Sequence, residues 1–146
     1  MRKTVIITGS SRGIGAQTAR RFASGGWNVV INYLTSNSLA QSLCSELGEN
    51  AVLYKADVAD RNEVEKMVSF SLEHFGRIDA LVNNAAVAHF GLFTDIQDQE
   101  LERLFKVNLG GVLNCTRAVL NHMIRNKSGC ILNLSSIWGI SGASCE

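Results

Sequence analysis

Residues 3–15, Lys-Thr-Val-Ile-Ile-Thr-Gly-Ser-Ser-Arg-Gly-Ile-Gly, constrain the fold of this chain more than any other stretch. The apolar run Val5, Ile6, Ile7 feeds a turn that holds Gly9, Gly13 and Gly15, and a helical pattern follows from Ile14 to Ser24. A strand that turns directly into a helix aims backbone N–H groups and the positive end of the helix at one point. Such a point suits a phosphate. The glycines permit a tight turn, close approach of a diphosphate to the backbone, and close helix–strand contact. Their spacing, G-x-x-x-G-x-G, departs from the commoner G-x-G-x-x-G, so the rest of the chain has to decide what the turn is for.

The pattern recurs. Gly25-Gly26 closes the first helix, and Trp27 to Tyr33 reads as a continuous apolar run, the mark of a parallel strand buried on both faces. Thr35 or Ser36 can cap a second helix through Leu39, Ala40, Leu43 and Leu47 to Gly48. Ala51 to Tyr54 is a third strand. Asp60, with Glu63 as a capping-box partner, opens a helix that stops at Gly76. Ile78 to Asn83 reads as a fourth strand, followed by a loop to Phe93. Thr94 or Asp95 starts another helix, and a long helical pattern from Leu109 to Arg125 is interrupted at Gly110-Gly111. Cys130 to Leu134 is a fifth strand, and residues 135–146 read as loop. Alternation at this pitch predicts an α/β fold: one Rossmann-type, doubly wound parallel sheet of five strands, filling residues 1–146 as a single domain.

Composition narrows the partners. Hydrophobic residues make up 46% and charged residues 18% of the chain, and the formal net charge is +1, with no run of like charge. That balance gives no footprint for nucleic acid or for an anionic membrane. No stretch approaches the length of an apolar membrane span, and the N-terminus shows no signal-peptide pattern. Cys44, Cys115, Cys130 and Cys145 form no C-x-x-C pair and sit in periodic segments, so they read as reduced structural thiols of a cytoplasmic protein. No metal-ligand spacing is present.

In an open parallel sheet, ligands bind beyond the C-terminal ends of the strands. Those ends carry Thr8 to Gly15, Asn32-Tyr33, Asp57-Val58, Asn83-Asn-Ala-Ala86 and Ser135-Ser136. Taken together with Asn108, they resemble the short-chain dehydrogenase/reductase family. Thr8-Gly-Ser-Ser-Arg-Gly-Ile-Gly15 matches T-G-x-x-x-G-I-G, and Asn83-Asn-Ala-Ala86 stands where N-N-A-G is usual. Within the family the chain looks most like the 3-oxoacyl-[acyl-carrier-protein] reductases.

The resemblance implies that Gly9, Gly13 and Gly15 line the diphosphate of a nicotinamide dinucleotide, that Ile14 caps it through its backbone, and that Ser11, Arg12, Asn32, Tyr33 and Asn84 also contact the cofactor. It implies that Asp57 accepts from the adenine amino group, that Val58 contacts the ring, and that Ala85 lies by the ribose. Asn83 would brace the central sheet. NAD-preferring enzymes place an acidic residue after the second strand. Here no Asp or Glu lies between Trp27 and Ser45, and the Arg12 guanidinium can grip a 2′-phosphate, so NADP (NADPH) is the expected cofactor. Leu34 stands where many NADP-preferring relatives carry a second basic residue.

For chemistry, the resemblance implies that Ser136 hydrogen-bonds a substrate carbonyl, with Ser135 only its neighbour. It also implies that Asn108 kinks its helix and holds a relay water. The implied reaction is NADPH-dependent reduction of a ketone to a secondary alcohol, on a small-molecule or acyl-carrier-protein-bound substrate, in a homodimer or homotetramer. Arg103, Lys106, Arg117, Arg125 and Lys127 are candidates for a basic surface facing the carrier protein. The family's Tyr-x-x-x-Lys is expected past Glu146, since no tyrosine follows Tyr54 and no lysine follows Lys127. The chain therefore reads as C-terminally incomplete and, by itself, inactive. The alternative reading is a non-catalytic dinucleotide-binding or redox-sensing module.

Overall fold

The computed structural model describes residues 2–142 and 144–145. Strands β1 (Thr4–Ile7), β2 (Asn28–Tyr33), β3 (Ala51–Lys55), β4 (Ala80–Asn83) and β5 (Cys130–Asn133) form one sheet in the order β3-β2-β1-β4-β5. Every pairing is parallel. The strand order reverses direction between β1 and β4, which is where such a sheet opens a crevice.

The α-helices are α1 (Gly13–Ser24), α2 (Asn37–Leu47), α3 (Arg61–Phe75), α4 (Asp98–Phe105) and α5 (Val112–Arg125). They cover both faces. Val5 and Ile7 of β1 point to one side and pack with Ala16 and Ala19 of α1 and Ala40 and Leu43 of α2. Ile6 points to the other, where Val64 and Met67 of α3 meet Cys115, Val119 and Met123 of α5. A strand alternates its side chains between faces, so a sheet covered on both sides needs consecutive apolar residues. That is why β1, β2 and β4 read as unbroken hydrophobic runs.

Helix ends follow the sequence signals with informative exceptions. The Asp60 carboxylate accepts from the N–H groups of Asn62 at 2.8 Å and Glu63 at 3.2 Å, which makes it the N-cap of α3. The Glu63 carboxylate does not return to Asp60. It accepts instead from the Asp57 N–H at 2.7 Å, so the expected capping box becomes a clamp on the end of β3. Ser36 is the N-cap residue of α2, but its side chain makes no capping bond.

The largest departure lies between β4 and β5. A short 3-10 turn occupies Phe93–Asp95, extended backbone at Ile96 and Gln97 breaks it, and α4 starts only at Asp98. From there the chain does not break at the glycine pair. A π-helical segment, Lys106–Gly111, joins α4 to α5 without interruption. The last loop contains a 3-10 turn at Ile137–Gly139.

Not every cysteine is structural. Cys115 is buried and Cys44 half-buried, whereas Cys130 on the outermost strand and Cys145 are exposed. Burial pushes the Cys115 thiol up to about 12, which keeps it protonated and unreactive. Thiol titration of the native protein at mildly alkaline pH is therefore expected to modify Cys130 and Cys145 first, with Cys115 reacting only on unfolding. Fast labelling of Cys115 would contradict the packing of α5 on the sheet.

At the opposite edge of the sheet from the strand exits, the buried Asp79 carboxylate accepts the Thr4 N–H at 2.9 Å and pairs with Arg77. Burial works against ionisation, but the Arg77 hydrogen bond, the Thr4 N–H and the charges of Arg77 and Lys3 outweigh it and hold its pKa below the ordinary 3.8. A depressed folded-state pKa contributes stability that is present above the unfolded value and is lost as pH falls through the folded one. Asp79→Asn is thus expected to flatten the loss of stability below about pH 4, read as denaturant midpoints against pH.

Candidate functional site

The C-terminal ends of β1, β2, β3 and β4 enclose a cavity of about 390 Å3, within the range of small-molecule sites. Every residue expected to meet the cofactor lines it. The turn contributes Gly9, Ser11, Arg12, Gly13, Ile14 and Gly15, the exit of β2 contributes Asn32 and Tyr33, and β3 leads to Asp57 and Val58. Asn84 and Ala85 form the wall after β4.

The turn is held by side-chain amides from the exits of β2 and β4 together with its own Ser10 hydroxyl, which donates to the Ile7 carbonyl at 2.7 Å. Asn32 is almost wholly buried. Its Oδ1 accepts the Gly9 N–H at 3.0 Å, and its Nδ2 donates to the Ala56 carbonyl at 3.0 Å. Its polar atoms brace the turn instead of facing the cavity. On the other side, Asn84 Nδ2 donates to the carbonyls of Thr8 at 2.8 Å and Gly9 at 3.1 Å. The Thr8 hydroxyl oxygen accepts the N–H groups of Asn84 and Ala85, both at 2.9 Å. β1, β2 and β4 are thereby stitched together at their exits.

Two glycines are required by space. Gly9 has φ +60, and a Cβ there would lie 2.9 Å from the Cα of Ala85. At Gly15 a Cβ would lie 2.6 Å from Asn84 Nδ2 and 2.8 Å from the Gly9 carbonyl oxygen. At these two positions no side-chain carbon fits, so their bare backbone forms the cavity wall, whereas a Cβ at Gly13 would meet nothing within 4 Å. The α1 bonding pattern begins with the Ala16 N–H on the Arg12 carbonyl, so the N–H groups before it have no intrahelical acceptor. Arg12 itself has no ion-pair partner among the described residues. A glycine cradle, unpaired N–H donors and a free guanidinium fit a dinucleotide with its phosphates.

Leu34 lines the cavity at the β2 exit. The cavity also takes residues that the sequence did not single out for it: Thr35 and Ser36 continue the β2 exit, and Val87 and Val107 close the side nearer α4. Arg103 lies here too, not on an outlying basic surface. Its Nη1 donates to Asp57 Oδ2 at 2.8 Å, while Asp57 Oδ1 accepts the Ala59 N–H at 2.9 Å. Nothing in the spacing could reveal a contact between residues 46 apart on different elements.

Asn108 and Ser136 lie outside the cavity lining. Asn108 sits in the π segment, and its amide grips one residue twice: Oδ1 accepts the Val87 N–H at 2.9 Å and Nδ2 donates to the Val87 carbonyl at 2.8 Å. Both polar atoms hold the loop after β4. Asn108→Leu is expected to speed hydrogen exchange at the Val87 amide and cost about 1 kcal/mol of stability. Unchanged protection at Val87 would show the clamp to be dispensable. The Ser136 hydroxyl is exposed at the exit of β5, and its oxygen accepts the Trp138 N–H at 3.2 Å. Asn83 Nδ2 donates to Asn133 Oδ1 at 2.8 Å, linking β4 to β5. Among the described residues, no group of His, Cys, Asp and Glu side chains could hold a metal ion, and no helix is long and apolar enough to cross a membrane.

Comparison with known proteins agrees with this geometry. The family model described as short chain dehydrogenase matches residues 3–145. A 3-oxoacyl-[acyl-carrier-protein] reductase FabG of Staphylococcus aureus is 38% identical over 145 residues, 97% of this chain and 59% of that protein. An uncharacterized oxidoreductase, YmfI of Bacillus subtilis, is 38% identical over 150 residues, 100% of this chain and 61% of its own length. Among solved structures, one titled "ElxO with NADP Bound" superposes with a TM-score of 0.89 at 34% identity, covering 99% of this chain and 60% of that one. The chain thus spans about three-fifths of the length of these relatives. On the extent of the family match and the register of the strand-exit residues, the chain belongs to the short-chain dehydrogenase/reductase family.

Proposed function

We propose that this protein reduces a ketone carbonyl to a secondary alcohol with NADPH, and that its substrate is a 3-oxoacyl group carried on an acyl-carrier protein. The observation that carries the reading is the single cavity that gathers the glycine turn, Arg12, Asp57 and Ala85 at the strand exits. Bound NADPH would supply the hydride. The backbone N–H groups before Ala16 bind the diphosphate, and Arg12 takes the 2′-phosphate. Thr35 and Ser36 support that preference, because the Ser36 hydroxyl is not used as a helix cap and both residues line the cavity.

Ser136 donates a hydrogen bond to the substrate carbonyl, and Asn108 keeps the loop after β4 in place beside it. A tyrosine and lysine outside these 146 residues supply the proton. The named reductase of Staphylococcus aureus supports the substrate class. An exposed apolar stripe on α5, formed by Leu113, Leu120 and Ile124, supports a homodimer or homotetramer in the cytoplasm. Val119 and Met123 of the same helix face the sheet.

The test is NADPH oxidation by the full-length protein in the presence of an acetoacetyl thioester. Ketone-dependent turnover is expected. Tight NADPH binding with no turnover on any ketone would leave a dinucleotide-binding module instead. Arg12→Ala is expected to lower the preference for NADPH over NADH about 10- to 100-fold, and an unchanged preference would remove Arg12 from the 2′-phosphate site. Light scattering that shows a monomer would overturn the oligomer.

A further inference from the structure

Among the described residues Asp57 is the sole carboxylate lining the cavity, and it is not a free acceptor. Its Oδ2 is held by Arg103 at 2.8 Å, its Oδ1 by the Ala59 N–H at 2.9 Å, and its own N–H by the Glu63 carboxylate at 2.7 Å. The last two bonds are local, within the turn from β3 to α3. Arg103 alone reaches Asp57 from across the cavity, from α4.

We propose that Arg103 is a positioning residue for the adenine end of the cofactor, acting through Asp57. This inference rests on the NADPH reading above. Two physical effects point the same way. First, each carboxylate oxygen carries two lone pairs, so Asp57 can receive one further donor on each oxygen while Arg103 and Ala59 fix the plane of the carboxylate. An amino group on a planar base is such a donor. Second, NADPH is polyanionic, and an unpaired Asp57 would oppose it. The charged side chains that line the cavity are Arg12, Arg103 and Asp57. With Arg103 present the lining is net positive, whereas Arg103→Met leaves Arg12 offset by Asp57. Arg103 also lies on the same helical run as Asn108, so one element holds Asp57 at one point of the cavity wall and Val87 at another.

The test is binding of NADPH, 2′,5′-ADP and reduced nicotinamide mononucleotide to the full-length protein, by calorimetry. The variants are Arg103→Met, Arg103→Lys, Asp57→Asn and the Arg103→Met/Asp57→Asn pair. Arg103→Met is expected to weaken 2′,5′-ADP and NADPH about two- to fivefold and to leave the mononucleotide unchanged. Arg103→Lys restores part of the loss by keeping the charge. The double variant loses less than the product of the two single losses, because both remove one interaction. Unchanged 2′,5′-ADP affinity in Arg103→Met, an equal loss for the mononucleotide, or multiplicative losses in the double variant would each overturn the proposal. A wild-type protein that binds neither NADPH nor 2′,5′-ADP overturns the NADPH reading itself, and this inference with it.

Discussion

Gly9→Val is expected to abolish measurable NADPH binding, a loss of at least about 100-fold, and to lower the melting temperature by about 5–15 °C. Two costs combine. A β-branched residue at φ +60 is strained by about 1–3 kcal/mol. Its Cβ would also meet the Cα of Ala85 at 2.9 Å, and backbone on both sides leaves little room to yield. Because the Thr8 hydroxyl binds the N–H groups of Asn84 and Ala85, pushing Ala85 away opens the seam between β1 and β4. The cavity wall and the sheet centre are lost together. A variant with wild-type NADPH affinity would show that the turn is not the phosphate site.

Ser136→Ala is expected to lower kcat by about 10²–10³-fold while leaving NADPH affinity unchanged, the size of effect seen when one donor to a developing oxyanion is removed. The split between binding and turnover follows from its place at the exit of β5, outside the cavity lining. Ser136→Thr keeps a hydroxyl that can both donate to a carbonyl and accept the Trp138 N–H, so it is expected to retain most of the turnover. Ser135→Ala is the companion control and is expected to retain activity. Stopped-flow NADPH oxidation by the full-length protein measures all three. Wild-type turnover in Ser136→Ala would remove this serine from the mechanism.

How much of this was legible in the sequence follows the range over which each signal acts. β1, the glycine turn and α1 are adjacent in the chain, and their residue types are set by local geometry, so both ends of that unit could be read directly. Strand exits could be gathered because parallel topology sends them to one edge. The Asn32 amide was readable as a cavity residue but not as a brace, since its partners, Gly9 and Ala56, lie on other elements. Arg103 was readable only as a surface cation, because its contact with Asp57 depends on where α4 lies relative to the turn after β3. Cys130 read as a structural thiol from its periodic segment, yet it and its strand neighbour Leu132 are both exposed. They are exposed because β5 is the outermost strand of the described sheet, and a periodic pattern carries no information about strand order.

The π segment has a consequence for what each side of α5 presents. An α-helix advances about 100° per residue, so one residue more or less between Arg103 and Cys115 turns the whole downstream helix by that angle. If Gly110 were deleted and α4 stayed on Asp57, each later side chain would occupy the place of its predecessor. Leu120 and Ile124 would then move to the places of Val119 and Met123 against the sheet, while Val112 would enter the place of Gly111, where a Cβ meets Val58 Cγ2 at 2.7 Å, and Thr116 the place of buried Cys115. The places of Leu113, Leu120 and Ile124 on the outside would pass to Asn114, Asn121 and Arg125. A single residue in the helical run thus acts as a rotary index, selecting whether this helix offers the outside world leucine and isoleucine or asparagine and arginine.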